Sequence, residues 1–292
     1  MKIAVYSRSV RTGFEANIST LLKMITDRKL EVILYRPFHD FLLKETTFRP
    51  LANGYFETYE ELRGNADFVF SIGGDGTFLD SVLIVRDSGI PILGINTGRL
   101  GFLANVLPQE AESSLDALLT NEYIIEQRSL AQLIYEGANP EIFCYALNEV
   151  TIQKQFSSMI TIHTYLNESY LNSYWADGLI ISTPTGSTAY SLSVGGPIIS
   201  PESNTFIISP LAPHNLTIRP VVVPDTAIIK LKVDAPEPQV QLTLDSRSIL
   251  HPTGREIMIK KADFTIKTVR LKNNTFYDTL RNKLMWGVDK RN

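Results

Sequence analysis

Phe68-Val69-Phe70-Ser71-Ile72-Gly73-Gly74-Asp75-Gly76-Thr77 (FVFSIGGDGT, residues 68–77) is the stretch that decides the fold. Its apolar run, residues 68–72, predicts a buried strand. The strand runs straight into glycines, which let a backbone turn tightly and approach a ligand closely. Residues 77–87 suit a helix, and residues 90–95 (IPILGI) suit another strand. Strand, helix and strand in succession imply a parallel sheet with helices covering it.

Working outward towards the N-terminus, residues 2–7 (KIAVYS) and 32–35 predict two further strands. Between them Ile18, Leu21, Leu22 and Ile25 follow the i, i+3, i+4, i+7 spacing of one buried helix face. Residues 37–64 are less regular. Thr58 and Glu61 form a capping box that starts one short helix. The rest, with Pro37, Pro50 and Asn53-Gly54, reads as a mobile loop beside the sheet edge.

Beyond about Asn121 the texture changes. Ile160 and Ile162, then Ile229, Leu231 and Val233, then Val240, Leu242 and Leu244 alternate with polar residues. Period-two alternation means strands with one buried face, and many of them suggest a β-sandwich. Phe276, Leu280 and Leu284 return to helical spacing. The expectation is an α/β N-terminal domain with a Rossmann-like parallel sheet, residues 1–120, followed by an all-β sandwich, residues 121–274. A C-terminal helix, residues 275–292, packs back on the first domain.

Composition narrows the partners. The chain has 292 residues, a hydrophobic fraction of 44% and a net charge of -3. That balance argues against a protein that coats nucleic acid, which normally carries a basic face. No apolar run approaches the roughly 20 residues of a membrane span. The single cysteine, Cys144, excludes intramolecular disulfides, and the start lacks the pattern of a signal peptide, so a cytoplasmic location is expected.

The residues able to do chemistry fall in clusters. In Gly73-Gly74-Asp75-Gly76-Thr77 the following helix directs free N–H groups and its positive dipole end at the loop, a seat for an anion. Asp75 puts a carboxylate there, as a general base, a metal ligand or both; the plainer alternative is that it caps the helix. Neither a P-loop nor a G-x-G-x-x-G fingerprint is present. Asn96-Thr97-Gly98-Arg99-Leu100-Gly101-Phe102-Leu103 follows the strand at 90–95, at the carboxyl edge where open sheets bind ligands, or else is a linker. Residues 177–193 (DGLIISTPTGSTAYSLS) are dense in hydroxyls able to read adenine, ribose or phosphate, with Tyr190 as an aromatic face; alternatively those hydroxyls satisfy their own backbone. Asn148-Glu149 can clamp a sugar diol or be plain solvent-facing strand. The histidines His39, His163, His214 and His251 form no metal-ligand spacing, and for His214 a structural hydrogen bond is the better reading.

Taken together, GGDGTFL, NTGRLGFL, NEV, DGLIISTPTGSTAYSLSVGGPI and PHNLTIRPVVVP resemble the NAD kinase family in order and spacing from about residue 66 to residue 224. GGDGT alone also occurs in lipid kinases, so the hydroxyl-rich cluster decides the substrate. The resemblance implies an active site in the cleft between the two domains. It also implies ATP, another nucleotide or polyphosphate as phosphoryl donor, a divalent metal such as magnesium, and the 2′-hydroxyl of the adenosine ribose of NAD as nucleophile. By match to the motifs, Asp75 is the proton acceptor, flanked by Gly74 and Gly76. Asn148 and Glu149 hold the dinucleotide around its ribose and diphosphate. Asp177 and residues 188–193 contact the bases, Thr188, Ala189, Tyr190 and Ser193 among them, and Ala212 lines the site. Two positions depart from the family pattern: Trp175 stands where a basic residue is common, and Arg247 follows Asp245-Ser246 where Gln is common. Arg247 either supplies the positive charge or is simply exposed. The family also implies a homo-oligomer, dimer or tetramer, with a neighbouring subunit contributing to the site.

Overall fold

The computed structural model describes residues 1–9, 14–98, 100–272 and 274–285. The chain divides into two compact units, Met1–Gln127 with Ile266–Asn292, and Arg128–Thr265. The boundaries expected at 120/121 and 274/275 therefore fall at 127/128 and 265/266.

In the first unit the elements run β1 (Lys2–Tyr6), α1 (Glu15–Asp27), β2 (Glu31–Tyr35), α2 (Arg36–Glu45), β3 (Gly54–Phe56), α3 (Tyr59–Leu62), β4 (Phe68–Gly73), α4 (Asp75–Val85), β5 (Ile92–Asn96) and α5 (Ala111–Leu119). The strands lie in the order β5-β4-β1-β2-β3, all parallel. The chain moves outward from β1 to β3, then returns to the other side of β1 for β4 and β5. That reversal makes the carboxyl ends of β1 and β4 a topological switch point, the place where open α/β sheets bind ligands. Gly73-Gly74-Asp75 sits at that end of β4. The face predicted for α1 is the buried one: Ile18, Leu21, Leu22 and Ile25 all enter the core.

Residues 37–64 correct the sequence reading. The expected mobile loop contains α2, with Phe38 and Leu42 fully buried, and β3, which pairs in parallel with β2. Pro37 looked like a breaker but occupies the first turn of α2, where its missing N–H costs nothing. The capping box between Thr58 and Glu61 does form, at the start of α3.

The chain continues with β6 (Tyr123–Tyr135), β7 (Tyr145–Ala146), β8 (Glu149–Gln153), β9 (Ile160–Leu166), β10 (Ser169–Ala176), β11 (Gly178–Ser182), α6 (Tyr190–Ser193), β12 (Thr205–Leu211), β13 (Val221–Pro224), β14 (Ile229–Asp234), β15 (Gln239–Leu244), β16 (Arg247–Pro252), β17 (Glu256–Leu271) and α7 (Phe276–Leu284). In the second unit one antiparallel sheet runs β13-β12-β11-β8-β15-β16, and a second contains β10, β9, β14 and the start of β17. Their inner faces share one core, in which Val150, Leu179, Phe206 and Leu242 of the first meet Ile160, Tyr174, Leu231 and Ile257 of the second. This is the expected sandwich.

A strand, rather than the last helix alone, makes the return to the first unit. Thr268 near the end of β17 pairs with Ile92 of β5. On α7, Leu280 is buried while Leu284 is exposed, so the helix carries a narrower apolar stripe than its spacing suggested. Thr275 and Asp278 cap its start.

Candidate active site

Asp75 is the first residue of α4, and Gly74 precedes it with no side-chain cap. The carboxylate does not cap its own helix. It reaches the loop after β5, where the N–H of Phe102 donates to Oδ2 at 2.9 Å. The N–H groups of Leu103 and Ala104 both donate to Oδ1 at 3.0 Å. Lys283 of α7 completes the set, its Nζ 3.1 Å from Oδ2. Two donors on each oxygen account for the roughly four lone-pair sites of a carboxylate. Burial pushes the Asp75 pKa up, but the Ala104 amide, the Lys283 charge and the Phe102 and Leu103 amides together hold it below the usual carboxylate range.

The loop is built for this contact. Asn96 donates from Nδ2 to the Ala104 carbonyl at 3.1 Å and accepts from the N–H of Gly98. Gly101 lies so close that a Cβ there would stand 2.0 Å from Asp75 Oδ1. Gly74 and Gly76 differ, since a Cβ at either would meet nothing within 4 Å. Both are exposed, which leaves the backbone around Asp75 open to a ligand.

In the second unit the weakest sequence signal becomes the firmest geometry. Asn148 and Glu149 are buried, at 8% and 7% exposure, so they are not solvent-facing strand. The chain leaves its pairing with β6 at the end of β7 and enters the other sheet at β8, and Asp245 fills the break between them: its carboxylate accepts from the N–H groups of Leu147, Asn148 and Glu149 at 2.8–3.2 Å. Glu149 Oε2 is buried and has no hydrogen-bond partner. Burial and the neighbouring Asp245 push the Glu149 carboxyl up to about 8, opposed by the backbone N–H of Tyr190. A neutral carboxyl can donate a hydrogen bond as well as accept one, a suitable partner for a sugar hydroxyl.

The hydroxyl-rich turn is stitched to this break. Thr183 donates to the Leu147 carbonyl from Oγ1 and to the Asn148 carbonyl from its N–H. Ser182, Ser187 and Thr188 donate to the carbonyls of Asn148, Ile199 and Thr185. Ser191 meets the hydroxyl of Ser209. These hydroxyls are committed inward, so the turn's rigidity, more than its hydroxyl count, is what it offers a ligand. Tyr190 and Ser193 remain exposed, and Ala189 is half-buried beside them.

Four further expected positions are spread around the same unit. Asp177 forms an ion pair with Lys154 at 2.5 Å. Trp175 is 53% exposed on the edge strand β10 and packs its ring against His214, 4.4 Å between centroids. Ala212 is exposed and holds a positive φ of 42°. Arg247 donates to the carbonyls of Phe143 and Tyr145 and stacks on the Phe143 ring, so it is not a simply exposed charge.

Against this geometry the comparisons decide the family. Residues 21–123 match the model of the ATP-NAD kinase N-terminal domain, and residues 147–271 match that of the ATP-NAD kinase C-terminal domain. The chain belongs to the NAD kinase family. Full-length relatives agree: it is 46% identical to an NAD kinase of Flavobacterium psychrophilum and 44% identical to one of Bacteroides fragilis, covering 100% of both chains in each case. Among solved structures, an NAD kinase from Archaeoglobus fulgidus in complex with ATP aligns with a TM-score of 0.75 at 27% identity, over 98% of this chain and 99% of that one. Yeast NADH kinase complexed with NADH shares the fold, with a TM-score of 0.86 at 21% identity, over 99% of this chain and 89% of that one.

Three residues that shape these two neighbourhoods, one within the first unit and two within the second, carry no local signal in the sequence. Lys283 lies 208 positions from Asp75, and nothing local ties a lysine in a last helical turn to a distant carboxylate. Asp245 was visible as the head of a turn but not as the acceptor for the Asn148-Glu149 backbone. Gly186 was one of many glycines, yet a Cβ there would stand 2.1 Å from the Asn148 carbonyl.

Proposed function

We propose that this chain transfers the terminal phosphoryl group of ATP to the 2′-hydroxyl of the adenosine ribose of NAD, giving NADP and ADP. The observation that carries the reading is the Asp75 carboxylate, set at the switch point of the parallel sheet on the first turn of α4 and flanked by open glycines. In the transfer the ribose oxygen bonds to the terminal phosphorus, and the bond from that phosphorus to the bridging oxygen breaks. ADP leaves with the electron pair, and the hydroxyl proton passes to Asp75. Phosphoryl transfer depends mainly on positioning and charge stabilisation, which the amides at the start of α4 supply.

On the dinucleotide side, Asn148 and Glu149 hold the ribose and diphosphate, with Asp177, Thr188, Ala189, Tyr190, Ser193 and Ala212 around the bases. Trp175 presents an aromatic face where a basic side chain is absent. Arg247 acts by bracing residues 143–145. Support for this side comes from the buried, unpartnered Glu149 oxygen.

The residues present do not fit a resident metal. Asp75 is saturated with donors and faces an ammonium, and no group of three or more His, Cys, Asp or Glu among the described residues is placed to hold one. Magnesium enters this reading with the substrate, as MgATP. The reading also puts the chain in the cytoplasm, where a free Cys144 is at home. It includes a dimer or tetramer; the edge strand β10, with Tyr170 and Trp175 exposed, is the kind of edge that pairing covers. No helix among the described residues is long and apolar enough to cross a membrane.

Mass detection of NADP after mixing the chain with NAD and MgATP tests the activity. Asp75→Asn is expected to lower kcat at least about 10²-fold with the KM for NAD broadly unchanged. Wild-type turnover in that variant would remove Asp75 from the role.

A further inference from the structure

Four donors hold Asp75, and they are not equivalent. The three amides belong to a loop pinned by Asn96 and by the Gly101 N–H, which donates to the Ala104 carbonyl at 3.0 Å. Withdrawing any of them means unfolding that loop. Lys283 stands at the end of a long stem, and its side chain is 31% exposed. It leans over the Phe102 ring, with Nζ 4.5 Å from the centroid. A ribose hydroxyl that is to give its proton to Asp75 needs a lone pair on the carboxylate. The donor able to yield one is Lys283, on Oδ2.

We propose that Lys283 is a second catalytic residue of the transfer: its ammonium occupies on Asp75 Oδ2 the place that the ribose hydroxyl takes, and passes to the oxygens of the moving phosphoryl group when displaced. This rests on Asp75 being the proton acceptor. A lysine binds phosphate as a point charge, without the fixed fork of arginine, so a small swing changes its partner. Two things follow from one charge. Before substrate arrives, the ammonium keeps Asp75 ionised and ready to accept. During transfer, it offsets the charge on the phosphoryl oxygens beside the open start of α4.

The other charged groups on α4 and α7 are Asp80, Asp278 and Arg281. Asp80, on the same helix as Asp75, is engaged by Arg8 at 2.6 Å. On α7, Asp278 and Arg281 are paired with one another. Neither pair competes for Lys283. Removing the ammonium favours the neutral acid at Asp75, so protonation sets in at a higher pH. An opposite charge at such a distance typically moves a carboxyl by about one unit or more.

The test is steady-state kinetics of the full chain with NAD and MgATP across pH. For Lys283→Met, the loss of kcat/KM on acidification is expected to set in about one pH unit higher than in the wild type. Its kcat should fall at least about 10-fold, and its KM for MgATP should rise several-fold. Lys283→Gln, which keeps a donor but no charge, should behave the same way. Lys283→Arg should return the acid limb to its wild-type position. If the uncharged variants keep the wild-type acid limb and the wild-type KM for MgATP, Lys283 only packs α7 and the proposal is overturned. Asp75→Asn separates the two ideas. A slow Asp75→Asn beside wild-type Lys283 variants sinks this inference alone, whereas a fast Asp75→Asn removes the proton acceptor itself.

Discussion

Two carboxylates in this molecule sit in cradles of the same kind, and their pKa values move in opposite directions. Asp75 accepts three consecutive backbone N–H groups, those of Phe102, Leu103 and Ala104. Asp245 likewise accepts three, those of Leu147, Asn148 and Glu149. Asp75 is held below the ordinary carboxylate range. Asp245 is pushed above it, because burial outweighs its amides and the Arg247 charge. Backbone donors alone therefore do not settle whether a carboxyl is charged. At Asp75 an ammonium touches the carboxylate at 3.1 Å and the side chain is 30% exposed. At Asp245 a second acid, Glu149, shares the desolvated site, and two carboxylates there oppose each other's ionisation. The first cradle suits a group that must accept a proton. The second suits a scaffold that shapes a neutral partner.

The sharpest way to break the comparison is steric. Gly101→Ala would place a Cβ 2.0 Å from Asp75 Oδ1, forcing the loop off the carboxylate. Turnover should fall about 10²-fold or more, the loss expected when a general base is misplaced. Near-normal kcat would show that the cradle is not needed for catalysis.

Next in size is the scaffold. Asp245→Ala strands three backbone donors, at about 1–3 kcal/mol for each buried one, so a loss of about 3 kcal/mol or more is expected in denaturant unfolding. Gly186→Ala, which drives a Cβ into the Asn148 carbonyl at 2.1 Å, should cost about 1–3 kcal/mol. In both variants the KM for NAD should rise more than kcat falls. The reverse pattern would mean that Asn148-Glu149 does not bind the dinucleotide.

The pH dependences of the two sites run oppositely. Glu149, at about 8 in the folded chain, binds a proton that the unfolded chain releases near its ordinary value of about 4.3. Its contribution to stability therefore declines as pH rises from about 4 to about 8, and Glu149→Gln should flatten that decline in thermal melts. Asp75 is depressed, so its stabilisation is present above its ordinary pKa and is lost as pH falls through the lowered one. The KM for NAD should climb as Glu149 ionises near pH 8, and should stay level in Glu149→Gln.

The smallest effects are expected at the hydroxyl-rich turn. Ser193 is exposed, so Ser193→Ala should raise the KM for NAD a few-fold and leave stability within about 0.5 kcal/mol. Thr188 donates to the Thr185 carbonyl, so Thr188→Val should disturb the turn before it disturbs a contact to ligand. Equal effects at both would show that the turn's hydroxyls are not divided between backbone and ligand.

Much of the fold was legible in local pattern. The buried faces of α1, β9, β14 and β15 follow from residues spaced at 3.6 or 2.0, and a core selects those periods directly. The segment at 37–64 was misread because Pro37 is a breaker in most contexts, and only its place in the first turn of α2 makes it compatible with a helix. The position of Asp75 was legible too, since a strand running into Gly-Gly-Asp-Gly announces a turn at a sheet edge.

Outside residues 37–64 the sequence by itself determined the strands of the parallel sheet, the alternating faces of the sandwich and the family the chain joins, because periodicity and motif order are properties of neighbouring residues. Tertiary structure alone decided that Asp75 is shifted down and Asp245 and Glu149 up. That Lys283 meets Asp75, and that Asp245 fills the break before Glu149, depends on contacts spanning 208 and 96 positions. A carboxyl's ionisation is set by the solvent and charges within a few ångströms, and no spacing along the chain encodes those distances.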